Sequence, residues 1–135
     1  MEQRKDYVET QIEMLTNALK KLLDKVKKLK SEDNIQKVFL DESILAFESL
    51  SLKDLLAIED KVLIQTLLND HNITNEQIKI LGDILFEYSQ IEKDKKLYSK
   101  TRILYMHYQE KEIKTIDFII FSRLAELETR IKESE

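Results

Sequence analysis

Almost nothing in this chain can stop a helix. Across 135 residues there is no proline and one glycine, Gly82, and those two residue types are the ones that end helices, turn hairpins and line phosphate-gripping loops. Their near-absence argues against β topology and against most nucleotide-binding turns. It predicts an all-α fold, an array of about five to six antiparallel helices.

The length suits a single hydrophobic core, so residues 1–135 are expected to form one helical domain. Charged residues make up 36% of the chain, yet 22 basic and 26 acidic side chains nearly cancel to −4. That balance is what solvated helix faces produce, and it implies no global polyanion partner. Cysteine is absent, which removes disulfides, thiolate nucleophiles and zinc–thiolate sites together and agrees with a reducing cytoplasm. Met1 to Asp6 is polar, and no stretch approaches the roughly 20 apolar residues that span a bilayer. The expected location is therefore cytoplasmic, with no membrane partner. The frequency of Lys, Ile and Asn suggests an AT-rich bacterial genome.

Val8, Ile12, Leu15, Leu19, Leu22, Val26 and Leu29 recur in alternating steps of four and three, the seam of a first helix. Tyr7, Met14, Ala18 and Leu23 widen that stripe, as in a helix with several neighbours. Ser31 to Asn34 interrupts it, and a second helix is expected to bury Ile35, Val38, Phe39, Leu45 and Ala46 and to end near Ser49. Ser51 and Asp54 suit the start of a short helix carrying Leu52, Leu55, Leu56 and Ile58. Val62 to Leu68 follows as a further short helix, or as the continuation of one bent helix. Asn69 to Asn72 reads as a polar loop that separates N-terminal helices (1–72) from C-terminal ones (73–135). Thr74 and Gln77 then form a capping box, with Ile73 placed to staple against Ile78. A helix from Asn75 to about Ile91 buries Ile78, Leu81, Leu85 and Tyr88. After the charged turn Glu92 to Lys95, the next helix carries Leu97, Tyr98, Thr101, Leu104, Tyr105 and Tyr108. The last presents Ile116, Ile120, Leu124, Leu127 and Ile131 on one face and Phe118, Phe121 and Ala125 on another, so it is either central or shared with a partner.

The stretch Ile78 to Thr101 resembles a tetratricopeptide repeat, an antiparallel helix pair. Ile78, Leu81, Gly82, Leu85 and Tyr98 occupy its large, large, small, large and aromatic positions, whereas Asp94 and Thr101 replace alanines and the closing proline is missing. The resemblance implies that Gly82 lets the second helix approach the first closely. Arg4-Lys5-Asp6-Tyr7-Val8, then Gln11-Ile12-Glu13 and Leu19-Lys20-Lys21-Leu22-Leu23, are similar to a family of small uncharacterised bacterial all-helical proteins. That family opens with an Arg-Asp-Tyr-Ile helix and an Ile-Glu-Gln motif and carries degenerate repeat-like helices. The likeness implies a helical fold and transfers no catalytic residue.

His71 and His107 are the only histidines, and neither has a second ligand at metal spacing. His107 and Glu110 reverse the Glu-x-x-His order of di-iron bundles. Neither a metal nor a cofactor is expected, and no ordered nucleophile motif marks a catalytic residue. Lys20, Lys21, Lys25, Lys27, Lys28 and Lys30 make the end of the first helix basic. They read first as a soluble face that complements the helix dipole, and otherwise as phosphate contacts or a membrane-surface helix. Tyr98, Tyr105 and Tyr108 read first as core with hydroxyls at the surface, and otherwise as the lining of a peptide groove. Phe118 and Phe121 read first as packing, and otherwise as a homodimer seam.

These readings converge on a noncatalytic protein-interaction or scaffold module that binds another protein or itself through Tyr98, Tyr105, Tyr108, Phe118 and Phe121. The alternatives are a nucleic-acid-associated regulator using Lys20 to Lys30, or an immunity or antitoxin-like neutraliser. No small-molecule substrate is evident.

Overall fold

The computed structural model describes residues 2–28, 43–45, 50–112 and 117–134, with side chains for 9–27, 54–112 and 117–134. The fold is all-α, with six helices among the described residues: α1 (Glu2–Lys28), α2 (Leu52–Ala57), α3 (Leu63–Gln65), α4 (Asn75–Ser89), α5 (Lys95–Lys111) and α6 (Phe118–Glu133). The seam of α1 holds from Leu15 to Val26, where Leu15, Leu19 and Val26 are buried and Leu22 and Leu23 pack against the same core, whereas Ile12 is exposed and Val8 and Leu29 have no described side chain. Met14 does not widen the stripe. It is 53% exposed, because position 14 lies about 100° around the helix from Leu15 and faces away from α4.

The helix expected to end near Ser49 is corrected at Ser43–Leu45. This short strand pairs antiparallel with Leu50–Ser51, Ser43 opposite Ser51 and Leu45 opposite Leu50. The second strand runs directly into α2, so the ladder holds the chain against the start of that helix. Ile35, Val38, Phe39 and Ala46, like the expected break at Ser31 to Asn34, lie outside the described residues. Of the two readings for the following stretch, separate short helices are what form. α2 ends at Ala57, a single 3-10 turn covers Asp60–Val62, and α3 widens into a π-turn over Thr66–Asp70. The expected polar loop is thus shorter than its sequence, and Asn72 takes the left-handed conformation that asparagine tolerates, at φ 53°.

Helix α4 begins as its sequence dictates. Gln77 N–H donates to Thr74 Oγ1 at 3.2 Å, and Thr74 N–H donates back to Gln77 Oε1 at 3.0 Å. The same glutamine then ties α4 to α1, its side-chain amide donating to the Ile12 carbonyl at 3.1 Å and to Thr16 Oγ1 at 3.0 Å. A buried Gln is tolerable because both ends of its amide are satisfied. Aspartates cap the two later helices: Asp94 accepts from Lys96 N–H at 2.9 Å, and Asp117 from Ile119 and Ile120 N–H at 3.0 and 3.2 Å.

The central helix is α4, since nearly every position from Gln77 to Ser89 is buried. One of its faces joins α1, α2, α3 and part of α5 through Leu15, Leu19, Leu55, Leu63, Ile78, Leu81 and Leu104. The other joins α5 and α6 through Phe86, Tyr98, Tyr105, Ile120 and Leu127. Each fully buried Leu or Ile contributes about 1.5–3 kcal/mol relative to exposure. Gly82 makes room for a ring of α5: a Cβ built there would lie 2.9 Å from Tyr105 Cε1.

Candidate interaction site

Four α6 residues turn inward, Ile120 and Leu127 buried and Leu124 and Ile131 packed against them. At about 100° per residue these occupy one arc, which places Phe118, Ser122 and Ala125 opposite it and Phe121 and Ile119 on its two flanks. Phe118, Ile119 and Phe121 are accordingly 76%, 64% and 65% exposed.

What keeps α6 in this rotation is a polar network on its flank. Arg123 Nη1 donates to Asp83 Oδ1 at 2.9 Å and to Tyr105 Oη at 2.8 Å, while the Tyr105 hydroxyl donates to the same Asp83 oxygen at 2.5 Å. Nη2 lies 3.8 Å from Glu87, and the guanidinium stacks 4.4 Å above the Phe86 ring. One arginine thus links α6 to three groups of α4 and one of α5, and its charge is offset by two carboxylates. Burial and then the neighbouring Asp83 carboxylate push the Tyr105 phenol well above its ordinary value, so it stays a neutral donor. Burial pulls Arg123 down, but Tyr105, Asp83 and Glu87 outweigh it and the net shift is upward. Tyr88 is also pushed up, to about 12, by burial and by Glu92 and Asp94.

Beside this network lies a hollow of ≈ 180 Å³ bounded by Lys27, Lys79, Asp83, Asp117, Ile119, Ile120 and Arg123. It brings the C-terminal end of α1 next to the start of α6, so the basic face of α1 and the apolar patch meet at Lys27 and Ile119. A larger groove of ≈ 460 Å³ opens between α5 and α6 over Ile103 and Ile131. Arg102 and Glu128 pair there at 3.5 Å, Asp60 pairs with Lys100, which also donates to the Ile58 carbonyl, and Lys132 stands at the rim.

The structure divides the residues expected to bind a partner. Tyr98 and Tyr105 are buried in the core, the Tyr105 ring filling the space beside Gly82. Tyr108 is half-buried, packed against the same cluster. Phe118 and Phe121 are the members of the set that reach solvent, joined by Ile119, which sequence reasoning missed. Its signal was present in the unbroken run Phe118-Ile119-Ile120-Phe121, too apolar for one buried arc to absorb. Lys20, Lys21, Lys25 and Lys27 are exposed on α1. The side chain of Lys28 lies outside the described residues, as does Lys30.

His107 faces the start of α4, its Nε2 3.1 Å from Asn75 Oδ1. Burial and Lys111 lower its pKa, against the opposing pull of Glu110. Among the described residues no group of three metal-ligating side chains converges, and no helix is long and apolar enough to cross a membrane. Comparison with protein-family models, with curated proteins and with solved structures finds no match to the chain.

Proposed function

We propose that this chain is a noncatalytic interaction module that binds another protein through the outward face of α6. The observation that carries the reading is the exposure of Phe118, Ile119 and Phe121 in the first turn of a helix whose rotation is held by Arg123. Water around three adjacent apolar side chains is unfavourable, and covering them supplies the driving force for association. In this reading α4 and α5 act as a tetratricopeptide-like pair, with Gly82 as the small contact residue and α6 as the next helix laid across it. Tyr105 and Arg123 serve packing: both are committed to Asp83 and to each other, and they hold the patch in place.

The test is a paired affinity capture from a lysate of the source cells, with nuclease-treated and untreated arms. Wild type is compared with Phe118→Ser/Phe121→Ser. The expected result is one stoichiometric protein recovered by wild type in both arms and lost by a variant whose melting temperature is unchanged. Equal recovery by the variant excludes this face. Recovery that depends on nucleic acid transfers the function to the exposed lysines of α1.

A further inference from the structure

Helix α6 meets the rest of the fold the way a docked partner does. The core that joins α1, α2 and α3 to α4 holds no α6 residue, and the second cluster, where Ile120 and Leu127 pack on Phe86, Tyr98 and Tyr105, holds none from α1 to α3. Helix α6 buries two residues where α4 buries eleven, so its hold depends on the polar contacts around them. Those contacts are made by arginines. Arg123 joins Asp83, Glu87, the Tyr105 hydroxyl and the Phe86 face, Arg130 lies 5.9 Å over the Tyr98 ring, and Arg102 of α5 pairs with Glu128. An apolar centre with tyrosine and arginine about it, closed by charge-assisted bonds, has the make-up of an interface between separate proteins. A helix held in this way can leave without unpacking the other cluster, since local openings follow cooperative units of structure.

We propose that α6 is a strap that opens apart from the α1–α5 core, and that the α4–α5 face beneath it then takes the α6 of a second copy in exchange. Opening uncovers Phe86, Tyr98 and Tyr105 beside the Asp83 and Glu87 carboxylates, an aromatic face with an acidic edge. Such a face selects a helix with aliphatic side chains at i, i+4 and i+7 and an arginine at i+3. Ile120, Leu124, Leu127 and Arg123 are that pattern. A second copy presents it with every contact conserved, which is what makes exchange of an identical element a low-cost route to dimers. The inference goes beyond the reading of Phe118, Ile119 and Phe121, none of which belongs to the cluster beneath α6.

The experiment uses the full chain. Native-state hydrogen exchange of wild type in low urea is expected to show the α6 amides opening at least about tenfold more often than those of α4. Fluorescence anisotropy then follows a labelled peptide of residues 117–134, which competes with α6 in cis and therefore binds wild type weakly. Arg123→Gln in the chain loosens the strap and leaves the receiving face intact, and it should tighten peptide binding about tenfold. Retained protection of α4 shows that this variant is folded. Arg123→Gln in the peptide should weaken its binding by a similar factor, and Asp83→Asn in the chain should shrink the difference between the two peptides. In sedimentation, after incubation in urea below the midpoint, the concentrated chain should show a dimer that excess peptide returns to monomer. Exchange of α6 and α4 at one common rate, or peptide binding that Arg123→Gln in the chain does not raise, overturns the strap. Equal binding of the two peptides, no dimer, or a dimer indifferent to the peptide overturns the second copy as its occupant. Phe118→Ser/Phe121→Ser should leave all of these readings unchanged, so a failure of the outward-face reading is seen separately; a shift in any of them would place the outer side chains in the strap's own contact and overturn the separation drawn here.

Discussion

The α4–α5 pair and α6 are built from similar residues and spend them in opposite ways. In the pair, Ile78, Leu81, Leu85, Leu97, Leu104 and even the phenol ring of Tyr105 are withdrawn from water. In α6, the arc carrying Ile120 and Leu127 is buried while Phe118, Ile119 and Phe121 stand exposed. The difference arises from how many neighbours each helix has. Helix α4 has packing partners on two sides, and α5 reaches it at a glycine. The structure places α6 against the pair along one arc, and among the described residues no other element covers the opposite arc. Apolar content in this chain therefore marks the core in one region and stands partly in solvent in the other.

The sharpest way to break that comparison is to truncate one aromatic from each region. Tyr105→Ala should cost about 3–5 kcal/mol, the range for removing a large buried aromatic ring, with Asp83 and Arg123 losing a shared partner in addition. Phe121→Ala should stay within about 0.5 kcal/mol of wild type, as exposed positions do. Urea denaturation of both variants measures the contrast. A Tyr105→Ala protein of unchanged midpoint and impaired binding would restore the groove expected from the sequence; a destabilised Phe121→Ala would show that the outer arc of α6 is covered after all.

Local interactions in this fold were legible in the sequence and distant ones were not. Thr74 and Gln77 announce their capping box because the bonded groups are three residues apart. The α1 stripe, the buried face of α4 and the inward arc of α6 follow from helical period alone. By contrast, Tyr105 meets Asp83 across 22 residues and Arg123 meets Asp83 across 40. Ranking the exposed Phe118 above the buried Tyr98 required knowing which neighbours α6 lacks. Met14 was misread for the same reason: it continues the apolar composition of α1 on a side where, among the described residues, no helix arrives. The strand at Ser43–Leu45 depends on pairing with Leu50–Ser51, and no periodicity of its own marks so short a segment.

A smaller effect sharpens the account of why the pair closes so tightly. At Gly82→Ala the new Cβ would stand 2.9 Å from Tyr105 Cε1 and 3.1 Å from Cδ1, and the ring is tethered by its hydroxyl to Asp83 and Arg123. Overpacking of this kind costs about 1–3 kcal/mol, offset by about 1 kcal/mol from replacing glycine inside a helix. The net expectation is a loss of up to about 2 kcal/mol by urea denaturation. In a Tyr105→Ala background the clash is gone, and the same substitution should become neutral or stabilising by up to about 1 kcal/mol. Additivity of the two changes would mean that the ring is not what the glycine accommodates.

The smallest effect lies at the border between the two regimes, where α5 meets the start of α4 and solvent. His107 is half-buried, with Nε2 near Asn75 Oδ1. Burial first, and Lys111 second, hold its pKa below the ordinary value of 6.5. The folded chain therefore binds fewer protons here than the unfolded chain between the two pKa values. The stability that His107 contributes is fully present above about pH 6.5 and is lost as pH falls through the folded value. Because the ring is partly solvated, the loss should stay under about 0.5 kcal/mol. His107→Gln keeps an amide beside Asn75 and removes the titration. The difference in urea midpoint between wild type and this variant should shift against wild type from about pH 7.5 to about pH 5.5. A constant difference would place His107 with the solvated residues of the outer surface, and a shift of opposite sign would mean that the folded state stabilises the imidazolium.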